Sequence, residues 1–378
     1  MKLIVNKDVI LDGLQKVQSV VGSRTTLPIL YNVCWKTEKD QVTLTATDLE
    51  LTVRTEIKIA KGPDAAKSES SALKISRTGG TTLPARKLYS IIAALPVSEI
   101  EIDVSDKDVA TIRAGASKFS IIGISEDEFP ALQKFKEKKT FKLDQGHLKR
   151  MLLATNYAAS ADESRAILNG VLLSFRGEKL TVVATDGRRM AHYELEMDIP
   201  KESEGDWVVP SKAVAELLRT LKDEGPLEIQ VSDNQISFEF DTLLIVSKLI
   251  EGTYPNFRQV IPGSCEERIS IPREELLSAV YRVSLLVSDK SNPITLSFKK
   301  NKLEVNGVAQ DVGDAEDSVT IKYTGKEITI SFNPDFLMDP LKNLTCEEVA
   351  LELTDELSPG VLKGDTPFLY VLMPMRVR

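Results

Sequence analysis

The segment Leu44-Thr45-Ala46-Thr47-Asp48 returns later in the chain as Val182-Val183-Ala184-Thr185-Asp186, and more faintly as Gly307-Val308-Ala309-Gln310-Asp311. Each copy is a short β-prone run that ends in a polar turn. Self-similarity of this kind is the sequence signature of a repeated structural unit. The recurrence therefore predicts that other landmarks repeat in the same order.

Two more landmarks do repeat in that order. One is a strand that runs through proline into a helical segment, and the other is an aromatic or apolar residue followed by proline. They occur at Thr82-Leu83-Pro84, Val208-Val209-Pro210 and Ser331-Phe332-Asn333-Pro334, and at Phe129-Pro130, Tyr254-Pro255 and Met373-Pro374. Successive copies lie close to one third of the chain apart. We therefore predict three divergent copies of one domain, at residues 1–134, 135–262 and 263–378.

Each predicted domain combines helices with strands. Its first helix has an apolar stripe at helical spacing, and the later strands alternate polar and apolar residues, as in 100–104 and 227–231. The stripes are Ile10, Leu14, Val17 and Val21, then Leu148, Leu152 and Thr155, then Leu276, Val280, Val283 and Val287. An α+β fold follows, with two helices packed on antiparallel sheets in each copy.

Composition narrows the class of protein. Hydrophobic residues make up 42% of the chain, but no apolar run reaches the roughly 18–20 residues that cross a bilayer, and the N-terminus resembles no signal peptide. Cys34, Cys265 and Cys346 are too widely spaced for a disulfide framework or a zinc site, which favours a cytoplasmic protein. The net charge of −8 argues against nucleic acid. Net charge does not describe its distribution, however, and an acidic outer surface can accompany a basic inner one.

Catalytic motifs are missing from the sequence. The two histidines, His147 and His192, belong to no catalytic or metal-binding spacing. Gly325-Lys326 lacks the preceding glycine of a phosphate-binding loop. The acidic stretch 311–317 lacks the ligand order of a calcium loop. We therefore predict a protein that is not an enzyme and that uses no cofactor or metal.

Five segments together resemble the bacterial sliding clamp, the beta subunit of DNA polymerase III. The segments are Arg24-Thr25-Thr26-Leu27-Pro28-Ile29-Leu30, Pro84-Ala85-Arg86-Lys87, Arg165-Ala166-Ile167-Leu168-Asn169-Gly170, Ala184-Thr185-Asp186-Gly187-Arg188-Arg189-Met190-Ala191 and Tyr370-Val371-Leu372-Met373-Pro374-Met375-Arg376. The resemblance covers the full length and keeps the order of the three copies. It implies a head-to-tail homodimer that forms a ring around duplex DNA and gives a polymerase its processivity.

The resemblance also implies a DNA-facing surface on the helices. A ring that slides needs loose, sequence-independent contact, because strong phosphate binding would stop its movement. The candidate cations are Arg24, Arg86, Lys87, Lys149, Arg150, Lys212, Arg219 and Arg282. Of these, Arg24, Arg86, Lys87 and Lys212 occupy positions where the family places DNA-facing residues. Leu286 and Val287 are the candidates for the joint between subunits.

A second implied site is a groove for short peptides, roughly Gln-Leu-x-Leu-Phe in pattern. Its expected clients are the clamp loader, replicative and translesion DNA polymerases, mismatch-repair proteins and ligase. The implied lining is Leu168, Thr185, Gly187, Arg188, Arg189, Met190, Pro255, Val260, Leu357, Val371, Met373, Pro374, Met375 and Arg376. Flexible methionines suit a surface that re-packs around different apolar anchors. The alternative is that Met373 and Met375 belong to a terminal core strand.

Two other functions remain open from the residues alone. A repeat-built scaffold could bind proteins without encircling DNA, although it would have no reason to carry cations on its helices in all three copies. A carbohydrate hydrolase would need two carboxylates that converge on a cleft. Arg188, Gln259 and Pro359 depart from the family's usual residues, so they leave the peptide preference open.

Overall fold

The computed structural model describes residues 1–22, 25–59, 73–132, 138–287, 292–310, 312–365 and 367–376. The chain forms two compact units. The first unit comprises residues 1–145 with 215–249, and the second comprises 146–214 with 250–378. Arg24, one of the candidate DNA contacts, lies outside the described residues.

Secondary structure repeats three times along the chain. The first copy is β1 Lys2–Asn6, α1 Lys7–Gln18, β2 Asn32–Thr37, β3 Gln41–Thr47, β4 Leu51–Lys58, β5 Leu73–Arg77, β6 Gly79–Pro84, α2 Ala85–Ala94, β7 Glu99–Val104, β8 Val109–Ala114 and β9 Ser117–Ile122. The second is β10 Lys139–Asp144, α3 Gln145–Thr155, β11 Gly170–Arg176, β12 Lys179–Thr185, β13 Arg189–Glu196, β14 Gly205–Pro210, α4 Ser211–Thr220, β15 Pro226–Val231, β16 Gln235–Phe240 and β17 Leu243–Lys248. The third is β18 Glu267–Pro272, α5 Arg273–Ser284, β19 Ile294–Lys299, β20 Lys302–Ala309, β21 Gly313–Thr320, β22 Ile328–Phe332, α6 Pro334–Asn343, β23 Glu348–Leu353, β24 Gly360–Lys363 and β25 Phe368–Leu372.

Apart from the additional β5, the three copies share one order of elements. Each has a strand, a helix, four strands, a second helix and three strands. The predicted α+β triplication is therefore confirmed. The repeated proline marks the start of each second helix: Pro84 and Pro210 end the preceding strands, whereas Pro334 is the first residue of α6. At that position a missing N–H costs no helical hydrogen bond.

The predicted apolar stripes form the inner faces of the helices. Ile10, Leu14 and Val17 of α1 are fully buried, and so are Leu276 and Val280 of α5. The Asn6 side chain accepts a hydrogen bond of 2.8 Å from the Asp8 N–H and so caps the start of α1. Burial of these stripes against the sheets supplies most of the helices' stability, because helices this short are marginal alone.

Strands of neighbouring copies join in continuous antiparallel sheets. The first unit contains the sheets β5-β1-β7-β8-β9 and β10-β15-β16-β17-β4-β3-β2-β6. The second contains β14-β11-β12-β13-β25-β24-β23-β18 and β21-β20-β19-β22. Two inter-copy pairs, β4 with β17 and β13 with β25, make these joins. Each compact unit therefore includes part of the second copy.

Two of the edge strands of the four sheets are β9, which pairs with β8 alone in the described residues, and β21, which pairs there with β20 alone. Apolar side chains are exposed near both. Ile122 at the end of β9 is 78% exposed, and Leu285, after the α5 helix that packs on β21, is 64% exposed. The prediction for the subunit joint is corrected at Val287, which is 2% exposed and packs against Gly307 inside its own unit. Leu286 is half-buried.

Candidate functional site

An apolar cluster lies on the eight-stranded sheet of the second unit, where β13 joins β25. Met190 is paired with Val371 across this join, and Leu172 is paired with both Val183 and Val208. Directly paired residues point to the same face of a sheet. We call these five residues with Phe257 the apolar cluster; its members are Leu172, Val183, Met190, Val208, Phe257 and Val371.

A tight turn borders the apolar cluster where β12 leads into β13. The Thr185 hydroxyl accepts a hydrogen bond from the Gly187 N–H and donates one to the Arg189 carbonyl oxygen, at 3.1 and 2.6 Å. One carboxylate oxygen of Asp186 accepts the N–H groups of Arg188 and Arg189. Gly187 has φ +85°, a left-handed conformation that glycine adopts without strain. The sequence Thr-Asp-Gly thus fixes the backbone through local hydrogen bonds.

Arg189 is half-buried and bonded to several neighbouring groups, and it is not an exposed lining residue. Its guanidinium donates to the carboxylates of Asp186 and Asp339 and to the Tyr157 carbonyl, and its Cζ lies 4.2 Å from the centre of the Phe336 ring. Burial alone would lower the Arg189 pKa, but the nearby Tyr370 and Asp339 outweigh it, and the pKa is raised. The side chain is 10% exposed. Arg189 therefore ties the turn to α6 and leaves the surface to its neighbours.

The remaining candidate groove residues differ in exposure. Gly187, Arg188, Pro255 and Arg376 are exposed, as are Val260, Leu357 and Met373; Thr185, Pro374 and Met375 are half-buried and Leu168 is buried. The Met373 N–H donates to the Arg188 carbonyl at 3.0 Å, which places these two residues side by side. The terminal-strand alternative is wrong for Met373 and Met375, because β25 ends at Leu372. The structure brings Met190, Val371, Arg188 and Met373 together, whereas Leu168, Val260 and Leu357 are outside the apolar cluster.

Apart from Arg24, the candidate DNA-facing cations lie on four helices, α2, α3, α4 and α5. Arg86 and Lys87 are exposed on α2, and Arg282 is exposed on α5. The Arg86 guanidinium donates to the Val21 carbonyl at 3.0 Å, and no carboxylate of the described ranges forms an ion pair with it. On α3, Arg150 is exposed and Lys149 is half-buried, and on α4 both Lys212 and Arg219 are exposed.

Arg219 and Arg282 are neutralised by carboxylates of the same chain. Arg219 pairs with Glu216 and donates to the Lys16 carbonyl at 2.7 Å, which holds α4 against α1. Arg282 pairs with Asp317 of β21 at 2.6 Å, and this hydrogen bond raises the Arg282 pKa. A neutralised cation attracts phosphate weakly. These two are therefore weaker candidates than Arg86 and Lys87.

Within the ranges described above, no group of three His, Cys, Asp or Glu side chains could hold a metal ion. Burial lowers the pKa of His192, whose ring lies 5.7 Å from that of Phe257. Its Nε2 is 3.5 Å from a Glu194 oxygen. Among the helices of the described residues, none has the length and apolar character to cross a membrane.

Known protein families match nearly the whole chain. Residues 1–133, 142–256 and 258–376 match the N-terminal, central and C-terminal domains of the DNA polymerase III beta subunit, in that order. The chain belongs to the family of bacterial DNA sliding clamps. The chain therefore functions as a DNA sliding clamp in DNA replication. The alternative of a scaffold that binds proteins without encircling DNA is not favoured.

Relatives match this clamp from end to end. It is 32% identical to the beta sliding clamp of Chlamydia muridarum over 377 residues, which cover 100% of this chain and 99% of the relative. It is 31% identical to the Escherichia coli K12 beta sliding clamp, with 100% of both chains covered. The crystal structure of the Bacillus subtilis sliding clamp superposes with a TM-score of 0.94 at 29% identity and full coverage of both chains. A sliding clamp of Bartonella birtlesii bound to griselimycin gives 0.91 at 31% identity, also with full coverage.

Sequence reasoning missed part of the apolar cluster of this clamp. Leu172 and Phe257 belong to it, and Ile167 packs against it. Phe257 follows the repeated Tyr254-Pro255 landmark by two residues, a signal that could have found it. No sequence signal connects Arg189 to Asp339, because that contact depends on how α6 packs.

Proposed function

We propose that two copies of this clamp close head to tail into a ring around duplex DNA, and that the β13–β25 join binds short peptides of replication and repair proteins. The observation that carries the ring is that β9 and β21 are edge strands, whereas their equivalents in the other copies pair with each other in the two joins of the chain. The proposal retains the domain boundaries 1–134, 135–262 and 263–378.

The repeat indicates a partner for the open edges of β9 and β21. Strands β4, β13 and β21 hold the same position in their copies, as do β9, β17 and β25. Within the chain, β4 pairs with β17 and β13 pairs with β25. By the same rule β21 pairs with β9, and since both edges are open, the partner strand comes from a second copy. Such a joint leaves no open edge at these strands and closes as a heterologous ring of two.

Side chains at the two edges are complementary. On β9, Phe119 and Ile122 are exposed with Lys118. At the other edge, Val308 and Val312 are 65% and 72% exposed, and β21 carries exposed Asp314 and Glu316. Apolar contact with opposite charges at the rim is typical of a specific interface. Leu285 is a better candidate for the joint than Leu286 or Val287 because it is more exposed.

Duplex DNA would contact the helices without sequence readout. Arg86 and Lys87, together with Arg24, Lys149, Arg150 and Lys212, supply cations for loose phosphate contact, while the chain as a whole carries −8. Transient contact of this kind permits sliding. We propose no reaction, cofactor or metal for the clamp, and a location in the cytoplasm.

A topological test addresses the ring. The clamp is loaded onto nicked circular plasmid by its loader, and retention is measured by gel filtration before and after the plasmid is cut once. We expect retention on the circle and release after cutting. A variant with Arg24→Glu, Arg86→Glu and Lys212→Glu should load poorly while remaining dimeric. Retention that survives cutting, or unchanged loading of the variant at physiological salt, would contradict the proposal.

The peptide site is tested separately. Apolar anchors of the clamp loader, polymerases, mismatch-repair proteins and ligase would fill the space above Met190 and Val371. A labelled Gln-Leu-Ser-Leu-Phe peptide should bind the full chain saturably, at micromolar strength or better. Removal of 373–378 should abolish binding while circular dichroism shows an intact fold. A folded dimer that does not bind the peptide would reject this site.

A further inference from the structure

A cavity of about 340 Å³ lies next to the apolar cluster and differs from the groove predicted above. We call it the flanking pocket. Its walls include Leu172, Asp206, Gly252, Tyr254, Phe257 and Arg258. Of the fourteen predicted groove residues, Pro255 alone also lines this cavity in the described structure.

The flanking pocket borders the same apolar cluster as the predicted groove. Leu172 and Phe257 belong to the same cluster as Met190 and Val371, and Tyr254 packs against that cluster. Pro255 is both a predicted groove residue and a wall of the pocket, so a peptide anchored over Met190 and Val371 would pass close to the pocket. The five-residue motif would fill the groove, so the residue that reaches the pocket would come from outside the motif.

The charges of the pocket indicate the chemistry of that residue. Asp206 is already committed: its carboxylate accepts the Ser174 hydroxyl at 2.6 Å and the Arg176 Nε–H at 3.0 Å. Arg258 is exposed, and no carboxylate of the described ranges forms an ion pair with it. Its guanidinium is stacked over the Phe257 ring, with Cζ 4.7 Å from the ring centre. The stack orients the cation before a ligand arrives, which lowers the entropy cost of binding.

We propose that the flanking pocket accepts a residue adjoining the five-residue motif of a client peptide, and that Arg258 selects a carboxylate there. This inference depends on the proposed peptide site. An exposed ion pair is weak, so the expected preference for an acidic over a neutral residue is about two- to fivefold in affinity.

The test uses peptides that differ in one charge. Gln-Leu-Ser-Leu-Phe is extended by Ser-Asp-Ser or Ser-Asn-Ser at either end, with both termini blocked so that no terminal charge contributes. Fluorescence polarisation should show about threefold tighter binding of the Asp peptide at one end. The preference should disappear at about 1 M salt, where the Debye length is about 3 Å. It should also disappear in Arg258→Gln.

The matched control is Arg113→Gln, which removes one exposed cation from β8 in the other unit. The preference should persist in Arg113→Gln, because this variant keeps Arg258. The overall charge of the chain changes equally in both variants, so a difference between them cannot come from net charge. Equal binding of Asp and Asn peptides at both ends, or a preference that survives Arg258→Gln, would overturn the inference. Failure of the unextended peptide to bind would reject the proposed site itself, so the two failures are distinguishable.

Discussion

The two inter-copy joins, β4–β17 in the first unit and β13–β25 in the second, have the same backbone and different side chains. The Thr47 hydroxyl accepts the Leu49 N–H, and Asp48 accepts the N–H groups of Glu50 and Leu51. The turn beginning at Thr185 forms the same bonds. Lys248 donates its N–H to the Glu50 carbonyl at 2.9 Å, as Met373 does to Arg188. The residue after the aspartate also has a positive φ in both turns: it is Leu49 in the first and Gly187 in the second.

The two joins differ in whether their side chains pair with each other. Glu50 and Lys248 form an ion pair of 2.9 Å with each other. Their counterparts at the second join, Arg188 and Met373, offer a cation and a flexible apolar side chain. The Thr-Asp turn therefore belongs to the fold, whereas we propose that a few exchanged side chains make the second join a partner site.

Arg189 occupies the position that Leu51 holds at the first join. Arg189→Leu should lower the free energy of unfolding by about 3 kcal/mol, because it leaves the Asp186 and Asp339 carboxylates without their partner. Urea denaturation followed by Trp207 fluorescence in a Trp35→Phe background measures the second unit. The double variant Arg189→Leu with Asp339→Leu should recover part of the loss. A single variant as stable as the parent would show that the Arg189 contacts are dispensable.

Exchange of the groove side chains should remove peptide binding. Arg188→Glu with Met373→Lys gives the second join the ion pair of the first, and we expect at least tenfold weaker binding, or about 1.4 kcal/mol. Titration calorimetry gives affinity and stoichiometry together. The reciprocal control, Glu50→Arg with Lys248→Met, should leave both unchanged. Loss of binding in that control would place the site at the wrong join.

Gly187 and Leu49 both adopt positive φ, at +85° and +78°. Gly187→Ala should destabilise the second unit by about 1 kcal/mol, because a Cβ is disfavoured in this conformation. Leu49→Ala should change stability by less than about 0.5 kcal/mol, since a Cβ is already present there and the side chain is exposed. Equal effects in urea denaturation would mean that φ does not distinguish the two turns.

The smallest expected effect concerns His192 on β13, whose aligned position on β4 is Arg54. His192 faces Glu194 where the first join has the permanent pair Arg54 and Glu56. Burial lowers the His192 pKa, with Arg258 and Lys179 adding to the effect and Glu194 opposing it. As pH falls through about 6.5, the unfolded chain therefore takes up a proton that the native state does not, and stability decreases.

His192→Asn should reduce this loss of stability between pH 7.5 and 5.5, measured by urea denaturation. His147→Asn, at an exposed position on α3, is the control and should keep the parent's pH dependence. If the control flattened the dependence and His192→Asn did not, the assignment to His192 would be contradicted.

The threefold repeat could be predicted from the sequence, because proline and Thr-Asp turns depend on local chemistry. The stripes of α1, α3 and α5 were predicted for the same reason, since their periodicity is visible in the residues themselves. Long-range details were not predictable in this way. Val287 packs against Gly307 as the apolar stripe predicts and not at the subunit joint, and Arg189 looks like a surface cation until α6 places Asp339 beside it. The division of the second copy between two compact units also depends on sheet pairing that no local pattern encodes.

The measurement that tests the ring most directly is the mass in solution of two edge variants, alone and mixed. Ile122→Asp alters the β9 edge, and Leu285→Lys alters the region beside β21. In a head-to-tail dimer each variant damages both joints, whereas a mixed pair keeps one joint intact. Analytical ultracentrifugation should show that each variant is a monomer alone and that the mixture contains dimers. Variants that stay dimeric alone, or a mixture that remains monomeric, would contradict the head-to-tail ring.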